Sequence, residues 1–270
     1  MNPEATQGNS PEILRIIDAH LHCGVQNVLW PWEGVRGRLL AAGIRGAGLI
    51  PPVEDIYDRY DPTFTDTPAW QATRRRAHRY LLDLADPEIQ IFPYFFVWND
   101  FAWEELGEGY AAVKWHRHAD EPRYHYEDPR CREFLAVVQR RGLPILLEET
   151  FAHTLFFLEK LLPPGVPLLI PHLGGLNGGY QALARAGVWS LPFVWADTSL
   201  ASPGEMEDYL GRFGGERLIF GSDYPFGDPG AQLARLRRLG LPPAVERGIL
   251  GDNFRRLLAG RSPGKGPGAG

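Results

Sequence analysis

Ile16-Ile17-Asp18-Ala19-His20-Leu21-His22-Cys23-Gly24 is the stretch whose reading decides the fold. An apolar run leads into a His-x-His pair, where a doubly wound open sheet would usually carry a Gly-rich phosphate loop after its first strand. Side chains alternate along a strand, so residues two apart point to the same side. His20 and His22 thus present two imidazoles to one place at the end of a buried strand. Neutral imidazole is a common ligand for zinc and similar metals. Taken alone, the pair also reads as two histidines that fall together on a polar loop, and the rest of the chain has to decide.

Downstream, short continuous apolar runs alternate with helical patterns. Strands are expected near residues 14–20, 44–50, 89–97, 110–115, 144–148, 168–172, 193–197 and 218–221. Helices are expected near 32–42, 70–85, 130–141, 154–162, 179–186, 205–213, 231–239 and 243–258, the last broken near Gly251. Between the third and fourth strands only 103–106 offers a short helix. Continuous apolar strands suit a parallel sheet covered on both faces. About eight βα units in this length point to a single α/β domain, a closed (β/α)8 TIM barrel over residues 11–260. Residues 1–10 read as a flexible N-terminus. The Gly/Pro-rich residues 261–270 read as a disordered tail, having no apolar groups to offset chain entropy. The acidic and aromatic connection 51–68 follows the second strand, so it reads either as a lid over the active end or as a surface excursion.

Composition excludes several classes of function. The net charge is −5 with both signs interspersed, so neither nucleic acid nor an anionic membrane is expected as a partner. No apolar run reaches the roughly 18 residues of a membrane span. The two cysteines, Cys23 and Cys131, are far apart, and no secretory signal is read at the N-terminus, so a reducing cytoplasm is the expected compartment.

In a barrel, catalytic groups come from the C-terminal ends of different strands. Here those ends carry His20 and His22, then Lys114 followed by His116-Arg117-His118, then Glu148 and Glu149, His172, Asp197, and Asp223. Each would be costly to bury without a partner, and convergence on one site supplies it.

Seven segments, in order, carry a resemblance: Ile-Ile-Asp-Ala-His20-Leu-His22, Ala-Val-Lys114, Gly-Leu-Pro-Ile-Leu-Leu-Glu148, Ile-Pro-His172-Leu-Gly-Gly, Trp-Ala-Asp197-Thr-Ser, Ile-Phe-Gly-Ser-Asp223-Tyr-Pro-Phe and Ile-Leu-Gly-Asp-Asn253. Together they resemble the amidohydrolase superfamily, in particular its amidohydrolase-2 branch of decarboxylases, lactonases and hydrolases. The resemblance implies one divalent metal ion, usually zinc, held by His20, His22 and Asp223, with His172 beside the attacking water. Zinc can bring the pKa of a bound water to about 7. Asp223 could then take its proton while His172 polarises the substrate carbonyl or shuttles a proton.

The departure lies on the fifth strand, where this branch usually has a metal-binding histidine and this chain has Glu148. Glu148 is either a further metal ligand, favouring a harder ion such as manganese, or the partner of Lys114. Lys114 in turn reads as that partner, as a substrate-carboxylate contact, as a bridge to a second metal with Glu148 and His172, or as a structural lysine. Arg117 and Arg123 are candidates for a planar fork on a substrate carboxylate. His78 and His153 read as structural or surface residues, and Cys23 as packing.

The expected function is metal-dependent hydrolysis of an amide- or lactone-type C–N or C–O bond in a small, carboxylate-bearing molecule. Non-oxidative decarboxylation by the same residues is the first alternative, and a non-catalytic barrel with a degenerate metal site the second. By analogy with the family, a homodimer is the expected assembly.

Overall fold

In the computed structural model, which describes residues 15–260, eight parallel strands follow one another around a barrel. They are β1 (Ile16–His22), β2 (Ile44–Ile50), β3 (Gln90–Phe96), β4 (Ala112–His116), β5 (Ile145–Glu148), β6 (Leu168–Ile170), β7 (Val194–Asp197) and β8 (Leu218–Ile219). Each strand pairs in parallel with the next in sequence. The segments expected to be flexible, 1–10 and 261–270, lie outside the described residues.

Closure comes from the chain beyond β8 rather than from a long eighth strand. Ala19 N–H donates to Phe220 O (3.0 Å), Asp223 N–H to His20 O (2.7 Å) and His22 N–H to Tyr224 O (2.8 Å). The Asp18 carboxylate is stitched into the same seam: its Oδ1 accepts from the N–H groups of His20 (3.2 Å) and Ser222 (2.9 Å). Burial pushes Asp18 up to about 7 against those hydrogen bonds, which lower it. The seam thus sets the position of Asp223 relative to both histidines of β1.

All seven residues of β1 are buried, as are all of β4, β5 and β6. This is why the strands read as unbroken apolar runs rather than as alternations. Helices α1 (Trp32–Ala41), α2 (Pro68–Asp83), α3 (Pro129–Arg141), α4 (Phe151–Phe156), α5 (Tyr180–Arg185), α6 (Pro203–Phe213), α7 (Pro229–Arg237), α8 (Pro243–Arg247) and α9 (Asn253–Ala259) flank the barrel. Between β3 and β4 there is only a 3-10 turn, Trp103–Glu105, as the sequence suggests. A π-helical turn, Gly248–Asp252, separates α8 from α9. Within it Gly251 has no room for a side chain, since a Cβ would lie 2.8 Å from Arg15 O.

The 51–67 connection divides in two. Pro51 to Val53 and Asp55 to Tyr57 are buried, and the Tyr57 ring stacks on Trp98 at 3.9 Å. Residues 60–63 lie on the surface. Its first half is thus a wall of the barrel mouth, and its second half is the excursion.

His78 is a core residue of α2, and its Nε2 is 3.1 Å from both the N–H and the carbonyl of Phe96. Burial, helped by the Arg74 charge, lowers it from 6.5 to about 3. A histidine depressed in the fold contributes stability that is full above its unfolded value near 6.5 and is lost as pH falls toward about 3. Chemical denaturation should therefore show a loss of about 2 kcal/mol from this group between neutrality and about pH 5. The pH slope, rather than the absolute stability, should flatten in His78→Phe. An unchanged slope in that variant would remove His78 from the account.

Candidate active site

The strand ends bring together most of the residues expected from the sequence. Two apart on β1, His20 and His22 both face inward, with ring centroids 5.9 Å apart. His20 donates from Nδ1 to Asp197 Oδ2 (2.9 Å), and His22 from Nδ1 to Pro51 O (3.1 Å). Carboxylate and carbonyl oxygens only accept, so each ring carries its proton on Nδ1 and turns the Nε2 lone pair inward. Both Nε2 atoms then lie 3.4 Å from the same oxygen, Asp223 Oδ1. Two lone pairs and a carboxylate oxygen facing one another repel unless a cation lies between them. Ligands on a tetrahedral ion with bonds of about 2.0–2.1 Å sit about 3.3 Å apart. The donor set fits a divalent metal in both chemistry and spacing.

Local backbone geometry is specialised here. His172, Leu173, Leu200 and Asp223 have positive φ, between 47° and 57°, at or just beyond the ends of β6, β7 and the β8 segment. Non-glycine residues held in this region concentrate at functional sites. Gly221 permits the close approach of the β8 segment, because a Cβ there would lie 2.9 Å from His20 Cβ.

Electrostatics separates the roles. Burial would raise Asp223, but His20, His22 and His172 outweigh it and hold the carboxyl at about 2. Burial, with the Lys114 charge, lowers His20, the direction that favours the neutral form a metal ligand needs. For His172 burial acts downward, yet the nearby Glu148 carboxylate, with Asp197 and Asp223, raises it to about 9. His172 Nε2 lies 3.6 Å from Glu148 Oε2 and 3.9 Å from Asp223 Oδ2.

Asp197, on β7, emerges as the organiser that the sequence reading left without a role. Besides accepting a hydrogen bond from His20 Nδ1 through Oδ2, it accepts at Oδ1 from the backbone N–H of His172 (2.9 Å) and of Ser199 (3.0 Å), and from Ser199 Oγ. His172 Nδ1 in turn reaches Ser199 O (3.1 Å). Outer partners of metal-ligating histidines typically tune affinity 10–100-fold. Asp197→Asn should accordingly weaken zinc binding by about that factor in chelator competition, and retention of full affinity would assign Asp197 to folding alone.

Lys114 is fully buried and donates from Nζ to Glu148 Oε2 (2.8 Å), and it lies 3.5 Å from His20 Nε2. Glu148 therefore stands where both readings place it. It pairs with Lys114, and with His20 and His172 it can offer ligand atoms within 4.8 Å of one another. Burial raises its pKa, but Lys114, His116 and His118 hold it well below the ordinary range.

Arg117 is not brought to this cluster. The β4 alternation that turns Lys114 and His116 inward turns Arg117 outward, where it meets Glu149 Oε2 (3.2 Å) and Ala119 O (3.0 Å). Arg123 lines an open cavity with Pro62 and His125, beside the cluster rather than in it. His116 and His118, expected at the end of the fourth strand without a particular role, flank Glu148 Oε1 at 3.2 and 2.7 Å. The signal was available, since Lys114, His116 and His118 follow at a spacing of two. Cys23 is a buried free thiol, pushed up to about 12 by burial, and packs as expected.

At the barrel mouth the ribbon Gly24–Val25/Leu29–Trp30 sets Trp30 against His22 and Phe226, with ring centroids 6.0–6.2 Å apart and edge-to-face planes. This is an apolar wall beside the polar cluster.

A (β/α)8 barrel with histidines and carboxylates gathered at the C-terminal ends of its strands has the architecture of a barrel enzyme. A family model for amidohydrolases matches residues 17–259, and the chain belongs to that enzyme family. Among solved structures, a Pseudomonas putida protein provisionally named a 2-pyrone-4,6-dicarboxylic acid hydrolase is similar, with 20% identity, TM-score 0.69, and coverage of 93% of this chain and 99% of its own. A 2,6-dihydroxybenzoate decarboxylase from Rhizobium has 16% identity, TM-score 0.68, and coverage of 92% and 99%. A dihydroxybenzoic acid decarboxylase from Polaromonas sp. JS666, solved with manganese and 2-nitroresorcinol, has 15% identity, TM-score 0.67, and coverage of 91% and 97%. At these identities the likeness is one of fold. No curated protein matches the sequence. Among the described residues no helix is long and apolar enough to cross a membrane.

Proposed function

We propose that the chain is a metal-dependent hydrolase that directs an activated water onto an amide- or lactone-type carbonyl of a small molecule. The observation that carries this reading is the approach of His20 Nε2 and His22 Nε2 to Asp223 Oδ1, each at 3.4 Å, with both Nδ1 protons fixed by outer acceptors. His20, His22 and Asp223 would hold one divalent ion, zinc by its donor set, with manganese as the alternative that a carboxylate-rich surround favours. When bound, the ion supplies Lewis acidity that brings the pKa of water to about 7.

The chain's own groups do the rest. Asp223, a carboxylate set beside His20 and His22, accepts the proton of the attacking water. His172, whose proton the surrounding carboxylates retain, donates to the carbonyl oxygen as negative charge develops there. Ser199 O fixes the other face of the His172 ring. Lys114 is paired with Glu148, and this pairing is the role we assign to Glu148 Oε2. Arg117, engaged with Glu149, lends no support to recognition of a substrate carboxylate in the site. The substrate is drawn from small molecules with an apolar part that packs against Trp30 and Phe226 and a polar reacting group directed to His172.

That aromatic wall also suits a second reading, non-oxidative decarboxylation of an aromatic acid, the reaction in the names of the two decarboxylases of similar fold. Turnover in H2-18O separates the two. Hydrolysis places one 18O in the product acid, whereas a decarboxylase releases carbon dioxide and puts no solvent oxygen into the organic product. A panel of lactones, amides and aromatic acids yielding only the second pattern would overturn the hydrolase reading.

A further inference from the structure

We infer that the rim cavity beside α3 and α4 is a second ligand site, which takes a small aromatic carboxylate outside the metal cluster. The cavity has a volume of about 580 Å³ and is bordered by Arg123, Arg132, His153, Tyr126 and Phe156. Small-molecule sites of about 300–1,000 Å³ usually combine an apolar lining with a few directed polar groups. The loop between β4 and α3, dense in cations and aromatics, supplies Arg123 and Tyr126.

The cations are available to a ligand. Arg123 and Arg132 are exposed, and among the described residues neither guanidinium makes an ion pair or a hydrogen bond. Nearby acids are already engaged: Arg130 holds Asp128 (2.6 Å), and Arg117 and Tyr126 hold Glu149 (3.2 and 3.1 Å). Glu127 is the only acid among the described lining residues, so two guanidinium charges stand against one carboxylate. A guanidinium fork meets a carboxylate in two parallel hydrogen bonds. His153 adds a neutral donor. Its Nδ1 lies 3.3 Å from Arg117 Nη1 and 3.1 Å from Thr150 Oγ1. A guanidinium only donates, so Nδ1 accepts and the proton of the neutral ring sits on Nε2. That side chain is 39% exposed, and its Nε2 has no hydrogen-bond partner among the described residues.

The floor is aromatic and held in place. Tyr126 Oη donates to Glu149 Oε1, which fixes the ring, and the ring packs against Phe156 and His153 with centroids 5.9 and 5.8 Å apart. Phe156, at the end of α4, is 40% exposed. A ligand ring can stack on these rings or meet them edge to face. A carboxylate without a ring would leave the floor uncovered, and a ring without charge would leave the guanidinium groups unpaired. The site shares no residue with His20, His22, His172 and Asp223, so its failure would leave the metal reading standing.

Ligand-observed NMR titration of the full chain with sodium benzoate, at constant ionic strength, tests the inference. Benzamide, which lacks the charge, and acetate, which lacks the ring, are the comparison probes. Benzoate should bind saturably, and both comparison probes at least about tenfold more weakly. Arg123→Gln and Arg132→Gln should each weaken benzoate by about 10–100-fold. Both arginines are exposed, so thermal melting should be unchanged in these variants. Phe226→Ala, at the barrel mouth, should leave the benzoate affinity as in the parent. Benzoate binding lost in Phe226→Ala but kept in both arginine variants would place the probe at the barrel mouth and overturn the rim site. No saturable binding, or equal binding of benzamide, would overturn it as well.

Discussion

Asp223→Asn should lower turnover by at least about 10³-fold and abolish tight binding of the ion at His20 and His22. Proton transfer by a positioned base contributes about 10²–10⁴-fold in general, and here the same carboxylate would also be a metal ligand, so the two losses coincide. Asn is the right replacement for a structural reason. Residue 223 has φ of 57°, a conformation that Asn tolerates, and its N–H closes the barrel seam on His20 O. The variant should melt normally while losing activity and ion together. Turnover within tenfold of the parent would show that Asp223 is neither base nor ligand.

The second large effect concerns stability. Lys114 and Glu148 face each other at 2.8 Å with no solvent access at the lysine. Removing one partner of a buried pair leaves an uncompensated charge and costs about 3–5 kcal/mol. Glu148→Gln should cost that much when chelator is present, so that loss of an ion does not enter the comparison. Lys114→Met in the same chain should recover most of it, because the pair as a whole is worth far less than either charge stranded alone. Urea denaturation of the parent, the two single variants and the double variant measures the coupling directly. Additive effects would mean that Lys114 is neutral or satisfied elsewhere, and would reopen its other readings.

These two expectations mark where sequence reading succeeded and where it ran out. The eight strands were legible because strands buried on both faces must be apolar throughout, as the fully buried β1 and β5 are. Their polar ends were legible for the converse reason: His20, His172, Asp197 and Asp223 terminate apolar segments and have no reason to be there unless they meet. What was not legible is orientation beyond a strand end. Arg117 looked like a substrate fork because nothing local says which way it turns, and in the fold its guanidinium meets Glu149.

The histidines on either side of Arg117 were undervalued for the same reason. Their two-residue spacing continues that of Lys114, but its meaning depends on Glu148 arriving from another strand. Asp197 was visible only as a polar strand end, because its hydrogen bonds reach residues 25 and 177 positions away in the chain. The wall formed by residues 51–57 shows the same limit. Its acids and aromatics were evident, but the burial of Tyr57 against Trp98 and Glu121 depends on packing between separate βα loops.

The central claim is that His20, His22 and Asp223 hold a divalent ion at the barrel mouth. Anomalous diffraction from crystals of the full chain grown with zinc tests it most directly. The account predicts a peak within about 2.0–2.2 Å of His20 Nε2, His22 Nε2 and an Asp223 carboxylate oxygen. Zinc-loaded crystals with no anomalous density between those three atoms would contradict it.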